Sequence, residues 1–319
     1  MTQSPVDGPP APEDRGSVSV VVVTYESAAS IAAALGPLRE SAHVGRVVVV
    51  DNDSDDDSAA LAAAAGADDV LVLEANLGFA AANNRGLRLC AGESVLFLNP
   101  DASISGEHID RLVAALRSDP GAVAAGPVLE GLDGRLTSGA RRFSTVGNRL
   151  AVELPWFWRH DRFTSRQSED TLERAEGTAV PVDYVWGAAV LVRRDFLDSV
   201  GGLDERFFLY HEDEDLGRQA HAAGRRVLLV TAARATHIGA VSSGGDAALA
   251  HARMLFATSQ LLDKWSWPSS GRVFAVAVQA ALLLQTAAAT ISGESLRRAE
   301  RWRCARYLRT FRRRGSARP

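Results

Sequence analysis

Short apolar runs alternate with Ala-rich amphipathic stretches through the first 125 residues of the chain. The apolar runs are rich in β-branched residues and predict strands at 17–23, 46–50, 70–73, 95–98 and 122–125. The stretches between them predict helices at 27–40, 58–65, 78–90 and 109–116. Continuous β-branched runs are typical of strands buried on both faces. Strands separated by helices of this length predict βαβ units, and therefore an α/β fold with a mainly parallel sheet flanked by helices.

The pattern becomes less regular in the middle of the chain. Residues 126–142 contain several glycines and predict a hairpin or loop, whereas residues 153–178 have no clear period. A long irregular insertion in a compact domain is often a binding loop or a lid. Regular elements are predicted again as a loop and strand at 182–193, a short helix at 195–200, a helix at 215–223 and a strand at 227–230.

The composition is that of an ordinary soluble globular protein. The chain has 319 residues, of which 46% are hydrophobic and 23% are charged, and this length allows a large core. Its two cysteines, Cys90 and Cys304, are far apart, which excludes a disulfide framework and a zinc site and suits a reducing compartment. Residues 1–16 are Pro-rich and polar without an apolar core, so they predict a disordered leader and not a signal peptide.

One candidate site follows the fourth predicted strand, at Asn99-Pro100-Asp101. Ligands of α/β sheets bind beyond the carboxyl ends of the strands. A carboxylate at such an end can hold Mg²⁺ or Mn²⁺ against a diphosphate, because hard cations take oxygen ligands. The alternative is a plain turn, since Asn-Pro-Asp is favourable turn chemistry. The tripeptide by itself leaves both interpretations open.

A second candidate site is the acidic run at residues 211–215 (HEDED), which follows the aromatic run at residues 207–210 (FFLY). Burial and neighbouring carboxylates raise the pKa of an acid, which can then take a proton from a hydroxyl as a general base. The alternative is a helix N-terminus, where acids favour the macrodipole and cap free N–H groups.

Polar residues also end the first two predicted strands, at Thr24-Tyr25-Glu26 and at Asp51. Polar side chains at successive strand ends converge on one crevice. The acids at residues 55–57 predict only a solvated turn and a helix cap. No G-x-G-x-x-G follows the first strand and no G-x-x-x-x-G-K-[ST] is present, so the chain lacks the usual dinucleotide and P-loop signatures.

Eight segments, in the same order along the chain, resemble the motifs of the family 2 inverting glycosyltransferases, in their bacterial rhamnosyltransferase-like branch. They are VVVTYES (21–27), VVVVDNDSDDDS (47–58), NLGFAAANNRG (76–86), LFLNPDA (96–102), GARRF (139–143), VWGAAVLVRR (185–194), GGLDERFFLYHEDEDLGRQ (201–219) and ATHIGAVSS (235–243). The resemblance implies a GT-A, Rossmann-like fold with a C-terminal helical extension. The expected division is a leader at 1–16, a glycosyltransferase domain at 17–264 and a helical tail at 265–319.

The resemblance also implies roles for individual residues. Asp213 matches the general base, and Asp101 the main metal-binding carboxylate, where His237 can complete the site of a Mg²⁺ or Mn²⁺ ion. Asn99 stands where many relatives have the first Asp of Asp-x-Asp. The residues implied at the sugar and acceptor are Trp186, Gly187 and Glu212. The residues implied at the nucleotide-sugar donor are Thr24, Glu26, Asp51, Asn76, Gly78, Asn83 and Asn99, with Asp51 at the base and Glu26 replacing a more usual Asn or Asp.

The resemblance implies a metal-dependent glycosyltransferase (a hexosyltransferase) of cell-wall or polysaccharide biosynthesis. Its donor is expected to be a dTDP- or UDP-sugar, with L-rhamnose from dTDP-rhamnose favoured, and its acceptor a polyprenyl-diphosphate-linked saccharide. Two alternatives stay open: a transferase of the same family using another sugar such as galactofuranose, and a catalytically silent nucleotide-sugar-binding assembly subunit. Intact Asp101 and Asp213 argue against the silent subunit.

The tail combines an uncharged segment at 273–291 with an Arg-rich segment in which Cys304, Tyr307, Leu308 and Phe311 share one helical face. Residues 295–319 carry ten Arg and one Glu, whereas the whole chain has a net charge of −4. An acidic body with a basic amphipathic tail predicts a cytoplasmic protein held peripherally on the anionic inner face of the cell membrane. Packing of the tail on the domain, a membrane span and an oligomer contact stay open, whereas nucleic acid is not expected because no binding module is present.

Overall fold

The computed structural model describes residues 17–137, 139–154, 179–239, 246–291 and 295–317. The strands of this part of the chain are β1 (Val18–Thr24), β2 (Val44–Asp51), β3 (Asp69–Val72), β4 (Ser94–Leu98), β5 (Ala102–Ser103), β6 (Ala122–Glu130), β7 (Leu136–Thr137), β8 (Ala140–Arg141), β9 (Ala179–Val182), β10 (Tyr184–Val185), β11 (Ala189–Arg193) and β12 (Arg226–His237). Ten of them form one sheet in the order β3-β2-β1-β4-β11-β6-β12-β5, in which β7 pairs with β6 and β9 with β12. Strands β8 and β10 form a separate antiparallel pair.

The sheet is parallel across β3, β2, β1 and β4, and again between β6 and β12. Strand β11 enters antiparallel between β4 and β6. The β-branched runs form the centre of the sheet, and every residue of β1 is buried. Burial of both faces explains why these strands lack polar alternation. The predicted α/β fold with a mainly parallel sheet is confirmed.

Helices cover both faces of the sheet. They are α1 (Ile31–Leu35), continued as a 3₁₀ helix (Gly36–Glu40), α2 (Ser58–Ala64), α3 (Phe79–Leu87), α4 (Gly106–Ser118), α5 (Val146–Glu153), α6 (Arg194–Val200), α7 (Glu212–Ala222), α8 (Ala247–Trp265), α9 (Ser270–Ile291) and α10 (Ser295–Arg314). Helices α1, α2 and α4 pack with one face of the central strands in a single hydrophobic cluster. Helices α3, α6 and α7 pack with the opposite face in a second cluster.

Several predicted elements have different bounds in the structure, and three of these differences concern the strands and the helix near the candidate site. Helix α7 begins at Glu212 and not at residue 215, because the acidic run forms its first turn, where the helix dipole favours carboxylates. Strand β6 continues to Glu130 into the predicted hairpin or loop at 126–142, since β12 provides a long parallel partner. Strand β12 itself continues to His237, past the predicted end at residue 230. The leader at 1–16 and nearly all of the predicted lid at 153–178 lie outside the described residues.

The C-terminal helices form a layer of their own. Helices α8, α9 and α10 share a hydrophobic cluster that also contains Val146 of α5 and Phe208, which precedes α7. The boundary predicted at residue 264 falls at the end of α8, and α8 packs with the two helices that follow it. The tail is therefore attached to the segment that leads into the acidic helix.

The predicted amphipathic face of the Arg-rich helix is present, but the protein itself covers it. Cys304, Leu308 and Phe311 of α10 are buried in the cluster shared with α8 and α9. This face is therefore not available for insertion into a lipid layer. In the described part of the chain, one helical window, Ser270–Ala287 of α9, is long and apolar enough to cross a membrane, and 33% of this window is buried in the protein.

Candidate active site

The carboxyl ends of β1 and β2 present two buried polar side chains next to each other. Thr24 and Asp51 are register partners at the ends of these parallel strands, with exposures of 0% and 1%. Thr24 Oγ1 and Asp51 Oδ2 find no hydrogen-bond partner among the described residues, whereas Asp51 Oδ1 accepts a 2.9 Å bond from the Ser54 N–H. Buried polar atoms in folded proteins are nearly always paired, so these two atoms are suited to a bound ligand.

Asn52 connects this strand end to the loop before α3. Its amide oxygen accepts a hydrogen bond from the Leu77 N–H at 2.8 Å, and its amide nitrogen donates to Asn76 Oδ1 at 3.0 Å. Asn76 Oδ1 also accepts from the Gly78 N–H at 3.0 Å. Asn52 was not predicted as a site residue, although it directly follows the predicted Asp51.

Gly78 brings this loop against the segment that precedes the acidic helix. Its φ is 87°, in the region that favours glycine, and a Cβ at this position would lie 2.4 Å from the Phe208 carbonyl oxygen. The next residue, Phe79, donates its N–H to the same oxygen at 2.7 Å. Asn83, one turn further along α3, is buried, and its Oδ1 has no partner within the described ranges. The start of α3 therefore contacts, through the backbone of Phe79, the segment that leads into the helix with the predicted base.

Glu26 lies at the rim of this group. It is exposed, has a φ of 51°, and its carboxylate accepts a hydrogen bond from the Asp55 N–H at 2.8 Å. Its own N–H donates to Ser54 Oγ at 3.1 Å. The side chain thus fixes the loop after β2, and its contact with a nucleotide stays a prediction.

Asn99-Pro100-Asp101 forms a turn and also buries a carboxylate, so the two interpretations of this tripeptide are compatible. The turn joins β4 to β5 and is closed by a hydrogen bond from the Ala102 N–H to the Asn99 carbonyl at 3.1 Å. Asp101 is 5% exposed, and in the described structure its Oδ1 accepts no hydrogen bond. His237 Nε2, at the end of β12, lies 3.4 Å from this oxygen.

The chemistry of this pair fits a divalent cation that is shared with a substrate. Within the described ranges, no group of three or more His, Cys, Asp or Glu side chains is arranged to hold a metal ion. Mg²⁺ in phosphate-transfer sites is usually bound by one or two carboxylates together with phosphates and water. Asp101 and His237 provide an unsatisfied carboxylate oxygen and an imidazole nitrogen, which suits such a shared ion and not a closed structural site.

The two residues that precede α7 have an unusual backbone conformation. Tyr210 and His211 both have positive φ, 74° and 70°, although neither is glycine. Such strain costs roughly 1–3 kcal/mol per residue and tends to cluster at functional sites. The result is that Glu212 and Asp213 point inward at the start of the helix, where Glu212 is only 8% exposed and its Oε2 has no partner among the described residues.

Asp213 is held by the strand connection that contains Trp186 and Gly187. Its Oδ2 accepts a hydrogen bond from the Gly187 N–H at 3.0 Å, and its Oδ1 accepts from the Glu214 N–H at 2.7 Å. Trp186 donates its N–H to the Gly139 carbonyl at 2.7 Å, and its ring lies 3.9 Å from the guanidinium carbon of Arg141. Arg141 belongs to the GARRF motif, and the sequence predicted no individual role for it.

Burial changes the protonation of the two inward carboxylates. Desolvation, with the Asp213 charge next to it, raises the pKa of Glu212 to about 8. Desolvation also raises the pKa of Asp213, against the opposing effects of His211 and of the hydrogen bonds from the Gly187 and Glu214 N–H groups. Two carboxylates in one low-dielectric site do not ionise together easily. At neutral pH the pair therefore tends to retain one proton, mainly on Glu212.

The other two acids of the run attach α7 to its surroundings. Glu214 is fully buried and accepts hydrogen bonds from the Ser144 N–H at 2.6 Å and from Arg218 Nη2 at 2.9 Å. Asp215 is also fully buried and accepts from Trp265 Nε1 at 2.6 Å and from Lys264 Nζ at 2.9 Å. These two acids therefore act structurally, whereas Glu212 and Asp213 line an apolar cavity with Gly187.

The strand order brings the predicted residues to one edge of the sheet. Thr24 and Asp51 end parallel strands, and Asp101 follows β4, which pairs in parallel with β1. Strand β11 runs antiparallel to β4, so its first residue, Ala189, is the register partner of Leu98. Gly187 and its partner Asp213 consequently lie at the same edge as the predicted donor residues. The roles of the individual side chains stay predictions.

Comparisons with known proteins identify the family of the chain. The sequence model of glycosyl transferase family 2 matches residues 19–200. The N-acetylglucosaminyl-diphospho-decaprenol L-rhamnosyltransferase of Mycobacterium tuberculosis is 36% identical over 187 residues, which are 54% of this chain and 60% of that protein. The low-salt glycan biosynthesis hexosyltransferase Agl10 of Haloferax volcanii is 27% identical over 206 residues, or 61% of this chain and 59% of that protein. The chain thus spans about 60% of the length of these curated relatives.

Solved structures share the fold. The mannosyltransferase PcManGT of Pyrobaculum calidifontis, solved with GDP-Man and Mn²⁺, superposes with a TM-score of 0.57 at 17% identity, over 96% of this chain and 90% of that one. GalNAc-T7, solved with UDP, GalNAc and Mn²⁺, gives a TM-score of 0.56 at 15% identity, over 79% of this chain and 48% of that one. Likeness at this identity supports the GT-A fold and no more.

Proposed function

Because the chain belongs to glycosyltransferase family 2, we propose that it transfers a sugar from a nucleotide-sugar donor to a polyprenyl-diphosphate-linked saccharide, with inversion at the anomeric carbon. The observation that carries the proposal is a pair of separately held carboxylates at one sheet edge, one of them buried and the other part-buried. Asp101 has an unsatisfied oxygen beside His237, and Asp213 is fixed by the Gly187 N–H. Inverting transfer needs one acid for the metal and another for the base.

In this proposal the nucleotide binds at the ends of β1 and β2. Asp51 Oδ2 and Thr24 Oγ1 offer buried polar atoms to the base and ribose, and they lack partners in the described part of the chain. Asn76, held by Asn52 and by the Gly78 N–H, shapes the adjacent wall. Preorganised polar atoms of this kind bind a ligand without rearranging, which lowers the cost of binding.

Asp101 and His237 would hold a Mg²⁺ or Mn²⁺ ion, with Asn99 next to them in the same turn. When bound, such an ion neutralises the negative charge that develops on the leaving diphosphate. Because Asp101 is 5% exposed, water screens its carboxylate only weakly. Its attraction for a divalent cation is therefore stronger than that of an exposed carboxylate.

Asp213 would take the proton of the attacking acceptor hydroxyl. Two N–H donors hold its oxygens, and this geometry leaves a lone pair of the carboxylate for the hydroxyl. Glu212, with a pKa of about 8, would stay protonated at neutral pH and could donate a hydrogen bond to the sugar or the acceptor. Trp186 would border the same space with its part-buried ring.

The proposed donor sugar is L-rhamnose from dTDP-rhamnose. This choice is supported by the 36% identity to the mycobacterial rhamnosyltransferase over 187 residues. The test is a screen of dTDP-rhamnose, UDP-galactofuranose, UDP-glucose and GDP-mannose, with a short-chain polyprenyl-diphosphate N-acetylglucosamine as acceptor. Transfer of rhamnose alone supports the proposal, transfer of another sugar corrects the donor, and donor binding without any transfer favours a silent binding subunit.

We propose further that the outer face of the α9–α10 helix pair lies on the anionic cytoplasmic surface of the membrane. Helix α9 exposes an apolar stripe of Val273, Val276, Leu283 and Leu284, each at least 49% exposed. These residues recur at helical spacing on the side opposite to the buried Val278. Exposed apolar stripes of this kind mark interaction surfaces.

The basic residues of α10 border this stripe. Gln279 of α9 accepts a hydrogen bond from Arg312 Nη1 at 2.8 Å, which fixes how the two helices face each other. Helical spacing then brings the exposed Trp302, Arg309 and Arg313 to the outer side of α10, next to the stripe. Apolar residues and tryptophan bordered by arginine suit an anionic lipid surface. The apolar stripe of α9 stays exposed after α10 has packed its own apolar face against the protein. We therefore propose that lipid covers the stripe.

A further inference from the structure

The GARRF motif at residues 139–143 has no role in the mechanism described so far. Its two arginines lie on and directly after β8, in which Arg141 is the register partner of Tyr184. Successive residues of an extended chain point to opposite sides. Arg142 is exposed, whereas Arg141 is half-buried next to the connection that carries Trp186. The motif therefore presents one arginine to solvent and one to the candidate active site.

Arg141 is a cation that lies against the ring of Trp186. Its guanidinium carbon lies 3.9 Å from the centre of the Trp186 ring, and its Nη1 donates to the Ala140 carbonyl at 3.0 Å. Among the described residues, no acid lies within ion-pairing distance of it. Burial lowers the pKa of Arg141, while the nearby Tyr184 and Asp213 raise it. An arginine nevertheless stays charged in proteins, so this positive charge is stacked on an aromatic face, and the described residues accept a hydrogen bond from only one of its nitrogens.

The position of Arg141 near Asp213 indicates which of the two substrates, donor or acceptor, Arg141 faces. In an inverting displacement the base and the leaving diphosphate lie on opposite sides of the anomeric carbon. Arg141 is close enough to Asp213 for the two charges to interact, and Trp186 joins it to Gly187, which holds the Asp213 carboxylate. The base lies next to the acceptor hydroxyl, so a cation beside the base faces the acceptor. The leaving diphosphate lies on the opposite side, at the ion that Asp101 and His237 would hold.

We infer that Arg141 binds the phosphate that links the acceptor sugar to its lipid. The inference rests on the proposed function, in which the attacking hydroxyl and the phosphate belong to the same acceptor sugar. The named site residues otherwise include the acids Asp51, Asp101 and Asp213, which repel an anionic acceptor. A planar guanidinium can donate two parallel hydrogen bonds to a phosphate, and stacking on Trp186 fixes its plane.

The consequence is selection by charge. Acceptors that carry a phosphate on the anomeric oxygen would be bound more tightly than neutral glycosides of the same sugar. The effect would appear in the KM of the acceptor, because the phosphate does not take part in bond formation and its contact with Arg141 is the same before and during transfer.

The experiment compares Arg141→Gln with Arg142→Gln, a matched control that removes the same charge one residue away. Each full-length protein is assayed with N-acetylglucosaminyl diphosphate on a short polyprenol and with an alkyl N-acetylglucosaminide. For Arg141→Gln we expect the KM of the diphosphate acceptor to rise about 10- to 100-fold, the scale of a lost charged hydrogen bond. The kcat, the KM of the neutral acceptor and donor affinity should stay unchanged, and Arg141→Lys should restore part of the difference. Arg142→Gln should behave like the unmodified protein.

Equal losses on both acceptors, or a weaker affinity for the donor, would overturn the inference and assign Arg141 to the donor or to the fold. If the unmodified protein transferred sugar to neither acceptor, the proposed function would fail by itself. Arg141 would then be judged by calorimetry with a short isoprenyl diphosphate alone. Binding that is lost in Arg141→Gln and kept in Arg142→Gln supports the anion site, and equal binding by both variants excludes it.

Discussion

Asp213 Oδ2 accepts a hydrogen bond of 3.0 Å from the backbone N–H of Gly187, although the two residues are 26 positions apart. Gly187 precedes β11 and Asp213 lies in the first turn of α7, so the contact joins the sheet edge to the acidic helix. Because Asp213 is oriented by backbone, its direction does not depend on the rotamer of a second side chain. This fixed orientation is what a general base requires.

We predict that Asp213→Asn lowers kcat by about 10²- to 10⁴-fold, the usual scale of general base catalysis. The amide can still accept the Gly187 N–H through its oxygen, so the fold and the donor affinity should be kept. The measurement is sugar transfer under saturating donor, together with calorimetry of donor binding. Glu212→Gln is the matched control within the same turn. Should Glu212→Gln be inactive and Asp213→Asn active, the base would be Glu212.

A second prediction concerns the cation. Asp101→Asn should abolish the part of donor affinity that depends on Mg²⁺ or Mn²⁺, because it removes the charge of the unsatisfied carboxylate beside His237. Donor binding is measured by calorimetry with Mn²⁺ and with EDTA. Asp133→Asn, in the exposed turn between β6 and β7, serves as the control. A difference between Mn²⁺ and EDTA that persists in Asp101→Asn would show that this acid does not bind the ion.

A third prediction follows from the raised pKa of Glu212. Between the ordinary value of 4.5 and the folded value of about 8, Glu212 is protonated in the folded protein and ionised in the unfolded chain. The folded state then binds more protons, so the free energy of unfolding falls as the pH rises through this window. Glu212→Gln cannot ionise, and its stability relative to the unmodified protein should therefore increase steadily from pH 5 to pH 8.

The measurement is the melting temperature of both proteins, without ligands, at several pH values. Glu74→Gln, which changes an exposed acid, should run parallel to the unmodified protein over the same range. If Glu212→Gln also ran parallel, burial of Glu212 would have no consequence for stability.

The sequence predicted the strands and their polar ends, since a strand buried on both faces leaves an unbroken β-branched run. It therefore predicted that Thr24, Asp51 and Asp101 lie at one edge of the sheet. It did not predict that Asp51 leaves one oxygen unpaired while Asn52 holds the next loop, because those bonds join segments about 25 residues apart. Such pairing depends on tertiary contacts that no local pattern contains.

The acidic run shows a second limit. From the sequence, residues 211–215 indicated either a helix N-terminus or a catalytic site. The structure contains the helix N-terminus, and the catalytic role stays a prediction. Glu214 and Asp215 are paired with cations, whereas Glu212 is not. Which acid faces which partner depends on Ser144 and Lys264, which come from distant segments. Arg141 was missed for the same reason, since its neighbour Trp186 is 45 positions away.

The last prediction concerns the membrane surface. Arg309 and Arg313 are exposed on α10, and each basic residue near an anionic leaflet contributes roughly 1 kcal/mol. Replacing both with Gln should weaken binding to vesicles containing anionic lipid by about 10- to 30-fold at low salt, on the same scale of roughly 1 kcal/mol per charge. Replacing Arg39 and Arg88, which are exposed on the sheet domain, removes the same charge and should have little effect.

The attraction between the arginines and the anionic lipid is screened over about 8–10 Å, so a peripheral protein should leave the vesicles at high salt. Leu284→Gln should also weaken vesicle binding at low salt, because it interrupts the apolar stripe at its most exposed residue. Binding that ignores all of these changes would contradict the membrane role, and a concentration-dependent dimer lost in Leu284→Gln would assign the stripe to a contact between two copies of the chain.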